Sequence, residues 1–207
     1  MPDTVRDFRR GQIVTAARAI VARDGLDALT FGALEKQLGF TRGVITYHFK
    51  NKQEMVQALL ANVVEEIDQE ASAAVNRQHN PRERVAAVLR AMVNGFVSRV
   101  EATRVLVAFW GRVSSDPHVG DINEQLYRRY RAQTARLLRA GVKSGAFPAH
   151  DEDALAGVVV GVVLGLAAQA YFDPRGFDVE ACVDAATQTV LARLDQRGAR
   201  ATAAARA

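Results

Sequence analysis

The stretch from Thr30 to Lys52, TFGALEKQLGFTRGVITYHFKNK, leaves a chain that carries it little freedom in how to fold. Leu34 and Leu38 lie one helical turn apart and predict a short helix with an inward side. Gly39 breaks that pattern, and Thr41 stands where a second helix begins, with a hydroxyl able to cap an amide of the first turn. Val44, Ile45 and Phe49 give the second helix its apolar side; Arg42, Thr46, Tyr47 and His48 give it a polar one. Two short helices, a tight turn and a hydrogen-bonding second helix make a helix-turn-helix, the geometry that inserts a helix into the major groove of DNA.

Around this stretch the order of features is specific. The apolar first helix ends in Asp24-Gly25; then follow Leu29-Thr30-Phe31, Leu38-Gly39-Phe40-Thr41-Arg42-Gly43 and Tyr47-His48-Phe49-Lys50-Asn51-Lys52. From Gln12 to Leu60 the chain resembles the DNA-binding domain of the TetR family of transcriptional regulators. It departs from the family at Val44-Ile45-Thr46, a difference that bears on the operator and not on the fold. By position, Thr41 and Arg42 stand at the start of the recognition helix, and Arg42 suits bidentate reading of guanine O6 and N7. Thr46, one turn on, suits a base edge or a thymine methyl, and Gly43 permits close approach to DNA. The resemblance implies that Tyr47, His48 and Lys52 clamp phosphates, with Thr30 contributing from the preceding helix.

Charge alone would not point to this segment. Residues 1–60 hold nine Lys/Arg against six Asp/Glu, a balance of +3, while the whole chain carries +4. Arg6, Arg9 and Arg10 read equally well as a basic arm that touches phosphates or as a solvated, frayed end.

The 207 residues are 49% apolar, enough for a sizeable core. Helical periodicity runs through the chain, so the expected fold is all-α: a three-helix head over 1–51, a larger helical domain over 52–197 and a disordered tail over 198–207. Lys52 opens a long helix to about Gln78 without internal proline or glycine, and its stretch Glu65 to Glu70 reads as solvated. Further helices are expected over about 81–100, 102–114, 119–143, 151–172 and 178–197. Cys182 is the only cysteine, so no disulfide forms within the chain. The N-terminus has no apolar signal core, and a cytoplasmic location is expected.

Ala154 to Phe172 contains one strongly polar side chain, Gln169. Its length suits a membrane span, and Gly157, Gly161 and Gly165 suit close helix packing. The composition and flanks instead favour a helix buried on all sides in a bundle. A membrane-anchored interaction module stands as the alternative function.

Leu106 to Trp110 followed by Asp116-Pro117 resembles the BetI-type subgroup, whose named member responds to choline. This resemblance implies a small-molecule pocket in the larger domain. Phe96, Phe109, Trp110, Asn123, Tyr127 and Gln169 are the candidates, and a quaternary ammonium or an aromatic compound is the expected effector. For any one of these aromatics, plain core packing is the simpler reading. The two final helices are expected to pair across a two-fold axis in a homodimer. Gly157, Val158, Gly161, Leu164, Gly165, Val183 and Val190 are candidates for that interface, or for the intrachain core. No G-x-S-x-G, G-x-G-x-x-G or glycine-lysine phosphate loop is present, and the four histidines show no metal spacing. Neither enzyme activity nor a cofactor or metal is expected. The partners expected are double-stranded operator DNA and a small-molecule effector.

Overall fold

The computed structural model describes residues 4–195; the tail expected over 198–207 lies outside them. Among the described residues there is no strand. The helices are α1 (Thr4–Asp24), α2 (Phe31–Leu38), α3 (Arg42–His48), α4 (Lys52–Asn76), α5 (Pro81–Ser98), α6 (Val100–Trp110), α7 (Pro117–Lys143), α8 (Glu152–Phe172) and α9 (Val179–Asp195). A 3-10 turn, Leu26–Ala28, follows α1.

Most boundaries have local causes. Asn51 Oδ1 accepts the Glu54 N–H at 2.9 Å, and Glu54 reaches back to the Lys50 N–H at 2.8 Å. This reciprocal cap starts α4. Pro81 and Pro117 take first-turn positions where no amide is needed. Asn80 caps the Arg82 N–H at 2.8 Å, and Asp116 caps those of His118 and Val119 at 3.0 and 3.3 Å. Asp151 accepts the Ala154 N–H at 3.0 Å to start α8. The break at Arg99 has no glycine or proline to announce it, and α6 ends at Trp110, four residues short of the sequence-based limit of Ser114.

The chain forms two compact units that cut it differently from the expected 1–51 and 52–197. The first joins residues 1–66 with 99–124, because α6 packs against α1. Its core includes Ile13, Ala17, Ile20, Leu34, Ile45, Phe49, Leu59, Val105 and Phe109. The second joins 67–98 with the chain from 125 onward, and here α8 and α9 pack against α5 and each other. Helix α4 is therefore shared, its residues up to Glu66 belonging to the first unit.

Two sequence expectations need correction. Glu66 is not simply solvated: Arg18 pairs with its Oε2 at 2.5 Å and Arg99 with its Oε1 at 2.8 Å. Burial pushes the Glu66 carboxyl up, but the two arginines outweigh it and hold the group below its ordinary value. Nor is α8 buried on all sides. Ala156, Val159, Val163 and Ala167 form an inward stripe at helical spacing, while Val158, Gly161 and Gly165 are exposed. Only 22% of the most apolar 18-residue window of α8 is buried, although the helix is long and apolar enough to cross a membrane.

At the end of α7, Gly145 adopts a left-handed φ of 76° and Ala146 N–H returns to the Gly141 carbonyl at 2.9 Å. This turn folds the buried Phe147 ring onto Gly141, where an added Cβ would lie 2.2 Å from Phe147 Cε2. Alanine normally favours a helix over glycine by about 1 kcal/mol. Here the ring must move, and overpacking costs about 1–3 kcal/mol. Gly141→Ala is expected to lower the thermal midpoint; an unchanged or higher midpoint in a melting experiment would contradict this packing.

Candidate nucleic-acid interface and ligand cavity

Thr30 caps α2 through its hydroxyl oxygen, which accepts the Ala33 N–H at 3.1 Å. Gly39 then turns the chain with φ 67°, a left-handed conformation that suits glycine, and its N–H closes onto the Glu35 carbonyl at 2.9 Å. Thr41 is extended and starts α3, but its hydroxyl makes no capping bond, contrary to the sequence expectation. Its backbone carbonyl does the work, accepting the amides of Val44 at 3.0 Å and Ile45 at 3.3 Å. The side chain of Thr41 stays exposed and uncommitted to the cap.

Helix α3 separates its two sides cleanly. Ile45 and Phe49 are buried and Val44 is half-buried, while Arg42, Gly43, Thr46 and Tyr47 are exposed. At 68% exposure, Tyr47 is not packed within the head. The Thr46 hydroxyl donates back to the carbonyls of Arg42 and Gly43, at 3.0 and 3.3 Å. Its donor is thus occupied by the helix. The Arg42 guanidinium lies 5.4 Å from the centre of the Phe31 ring.

Arg6, Arg9 and Arg10 are not a frayed arm: they sit within α1. Their guanidinium groups lie over Tyr47, Phe40 and Phe49 at 5.6, 5.4 and 4.3 Å from the ring centres, a cation–π arrangement. The i, i+3, i+4 spacing of the three arginines was the available sequence signal for a shared helical face. Tyr47 meets His48 edge-on with centres 5.1 Å apart. An open concavity is lined there by Arg6, Arg9, Thr41, Gly43, Tyr47 and His48, among others. Burial first, then the charges of Arg6, Arg10 and Arg9, hold the His48 imidazole below its ordinary value. The ring is consequently neutral near pH 7. Lys52 is half-buried in the first turn of α4. A cation at the positive end of a helix dipole costs about 0.3–1 kcal/mol, so helix stability does not account for its place.

The second unit contains a cavity of about 290 Å³. Val75, Val88, Met92, Phe96, Val159 and Val163 supply much of its apolar wall, and Asp68, Tyr130 and Thr134 supply polar groups. Asp68 belongs to the acidic stretch that the sequence predicts to be solvated. It is instead mostly buried, paired with Arg129 at 2.5 Å and hydrogen-bonded by the Tyr130 hydroxyl. Burial pushes the Asp68 carboxyl above its ordinary value, against the opposing effects of Arg129 and Tyr130.

Of the predicted ligand residues, Phe96 lines this cavity. Tyr127 is not among the lining residues and meets the lining residue Tyr130 edge-on, with ring centres 6.2 Å apart. Gln169 is exposed, its amide donating to the Gly165 carbonyl at 3.2 Å, and is not among the lining residues. Phe109, Trp110 and Asn123 belong to the first compact unit, where Phe109 is fully buried core. Asn123 donates to the Val119 carbonyl at 3.0 Å. Of the predicted interface residues, Gly157, Val158, Gly161 and Gly165 lie on the open side of α8, and an added Cβ at any of the three glycines would meet open space. Leu164 lines the cavity. Val183 and Val190 are buried within the chain, in line with the alternative reading of them as intrachain core.

Residues 13–59 match a family profile described as bacterial regulatory proteins, tetR family. Residues 81–196 match one described as BetI-type transcriptional repressor, C-terminal. The chain belongs to the TetR family. TetR-family proteins are DNA-binding transcriptional regulators, not enzymes. The BetI regulator of Rhizobium meliloti is 24% identical over 190 residues, covering 92% of this chain and 91% of that protein. The match to the BetI regulator of Vibrio vulnificus is shorter, 25% over 133 residues, and spans 63% of this chain and 64% of that protein. A transcriptional regulator from Saccharomonospora viridis, solved in complex with choline, has the same fold, with a TM-score of 0.74 at 23% identity over 91% of this chain and 98% of that one.

The cause of the His48 shift is open to measurement. Arg6→Gln is expected to raise the His48 titration midpoint in an NMR pH titration, in part only, because burial is the larger cause. A midpoint that stays put would remove the charge contribution of Arg6.

Proposed function

We propose that this chain is a ligand-responsive repressor that binds a pseudo-palindromic operator as a homodimer in the cytoplasm. The observation that carries the reading is the two-sided α3. Its apolar side is anchored in the first unit, and its exposed side presents Thr41, Arg42, Gly43 and Thr46. In this reading Arg42 reads a base edge, and the Thr46 methyl meets a thymine methyl, since its hydroxyl already donates to the helix. Tyr47, His48, Lys52 and Thr30 hold the phosphate backbone and set the register. In the free protein His48 is held toward its neutral form, which leaves a ring N–H to donate to a phosphate oxygen.

The cavity of the second unit is the proposed effector site, and α4, like α7, runs through both units. A small molecule releases the operator only if it binds the released form more tightly than the bound one. The choline complex of the Saccharomonospora viridis protein and the Phe96 and Tyr130 rings in the cavity support a quaternary ammonium or an aromatic effector. The open side of α8 supports pairing between copies. Its glycines offer no bulky side chains to lipid, so a protein interface suits this helix better than a membrane-anchored module.

Salt-titrated mobility shifts on the protein's own upstream DNA test the interface. Arg42→Ala should reduce the preference for operator over random DNA by about 1–3 kcal/mol. Lys52→Ala should weaken both and flatten the salt slope by about one. Equal operator affinity for Arg42→Ala and the parent chain would end the base-reading role. Val158→Glu should convert a dimer to a monomer by light scattering, and an undisturbed dimer would move the interface elsewhere.

A further inference from the structure

The cavity of the second unit has one feature that its apolar walls do not need. Its lining contains one acid, Asp68, and no lysine, arginine or histidine. The Asp68 side chain is 24% exposed and accepts a hydrogen bond from the Tyr130 hydroxyl. Its cationic partner, Arg129, is not a lining residue, and the Arg129 side chain is 48% exposed. Beyond the carboxylate, Val75, Val88, Phe96, Val159 and Val163 form an apolar stretch of wall, and Ser72, Asn76, Gln133 and Thr134 add polar groups without charge.

An ion pair whose cation is half in water is weak and easily exchanged. A carboxylate beside an apolar wall gains most from a partner that arrives with the ligand and excludes water. A bound anion would lie beside Asp68 with no base on the wall to receive it. A neutral apolar molecule would leave Asp68 as it is. Tyr130 and Phe96 add two aromatic rings to the lining, and the Arg129 guanidinium already lies over the Tyr130 ring at 5.7 Å from its centre. At about 290 Å³ the cavity also has room for an apolar body beyond the charged head, near the lower end of the roughly 300–1,000 Å³ usual for ligand pockets.

We infer that the cavity takes an organic monocation with an extended apolar body, with Asp68 as its counter-ion and the ligand cation taking the place of Arg129. This rests on the reading of the cavity as the effector site. It adds the charge of the ligand, the residue that selects it and the exchange that admits it.

Calorimetric titration of the full chain with octylammonium, octyltrimethylammonium, octanol and octanoate tests the assignment. The two cations should bind, octanol at least about tenfold more weakly, and octanoate not at all. Asp68→Asn keeps the size of the side chain and an acceptor for Tyr130. It should weaken both cations at least about tenfold and leave octanol within about twofold. Arg129→Gln removes the competing cation and should tighten both cations severalfold. This second variant decides the matter even if Asp68→Asn does not fold. Octanol or octanoate binding as tightly as the cations would overturn the charge assignment and leave the effector-site reading standing. If none of the four bound, both would fall. Cation affinities unchanged in both variants would overturn the role of Asp68.

Discussion

A seven-residue helix does not hold itself together. Isolated helices shorter than about 12–15 residues are marginal in water. Helix α3 spans Arg42 to His48, so its existence and its direction rest on Ile45, and on Phe49 just past its end. Both side chains are essentially inaccessible to solvent, and burying each contributes roughly 1.5–3 kcal/mol. A helix pinned along one side has no freedom to rotate. The exposed set from Thr41 to Tyr47 is therefore presented as a consequence of the buried set. The proposed DNA-reading residues are positioned by side chains that touch no DNA.

The electrostatics of the first unit follow the same economy. A balance of +3 over the first sixty residues is too small to dominate by charge alone. Arg6, Arg9 and Arg10 lie on aromatic rings of the helix-turn-helix, and this brings three positive charges close to His48. The α1 arginines and the α3 helix thus form one surface, with a neutral imidazole inside a cationic setting. On the proposed function, phosphate recognition belongs to that combined surface and not to the recognition helix alone.

Helix α4 carries two acids with opposite tendencies two residues apart. Glu66 is drawn to the charged form by Arg18 and Arg99 in the first unit. Asp68 is pushed toward the neutral form by burial beside the cavity of the second. One helix therefore belongs to both units through residues whose environments differ sharply. That arrangement suits a proposed effector site whose occupancy alters the state of α4. The stripe of small residues on α8 leaves an open side, the surface proposed for pairing with a second copy.

The sequence by itself determined the all-α class, the helix-turn-helix, the family and most helix limits. Each of these rests on local chemistry: apolar spacing, Asn51, Asn80, Asp116 and Asp151 at helix starts, proline in first turns, and glycine at Gly39. It also separated the inward from the outward residues of α3, because period and composition agree there. Only the tertiary structure decided what depends on neighbours distant in the chain. Residues 99–124 joined the N-terminal helices because α6 packs on α1, which no local pattern announces. Val183 and Val190 went inside while Gly161 and Gly165 stayed open, since an apolar helix does not say which of its sides finds a partner. Asp68 left the solvated acidic run and entered a cavity wall, because burial is fixed by the helices packed opposite it and not by the residues beside it.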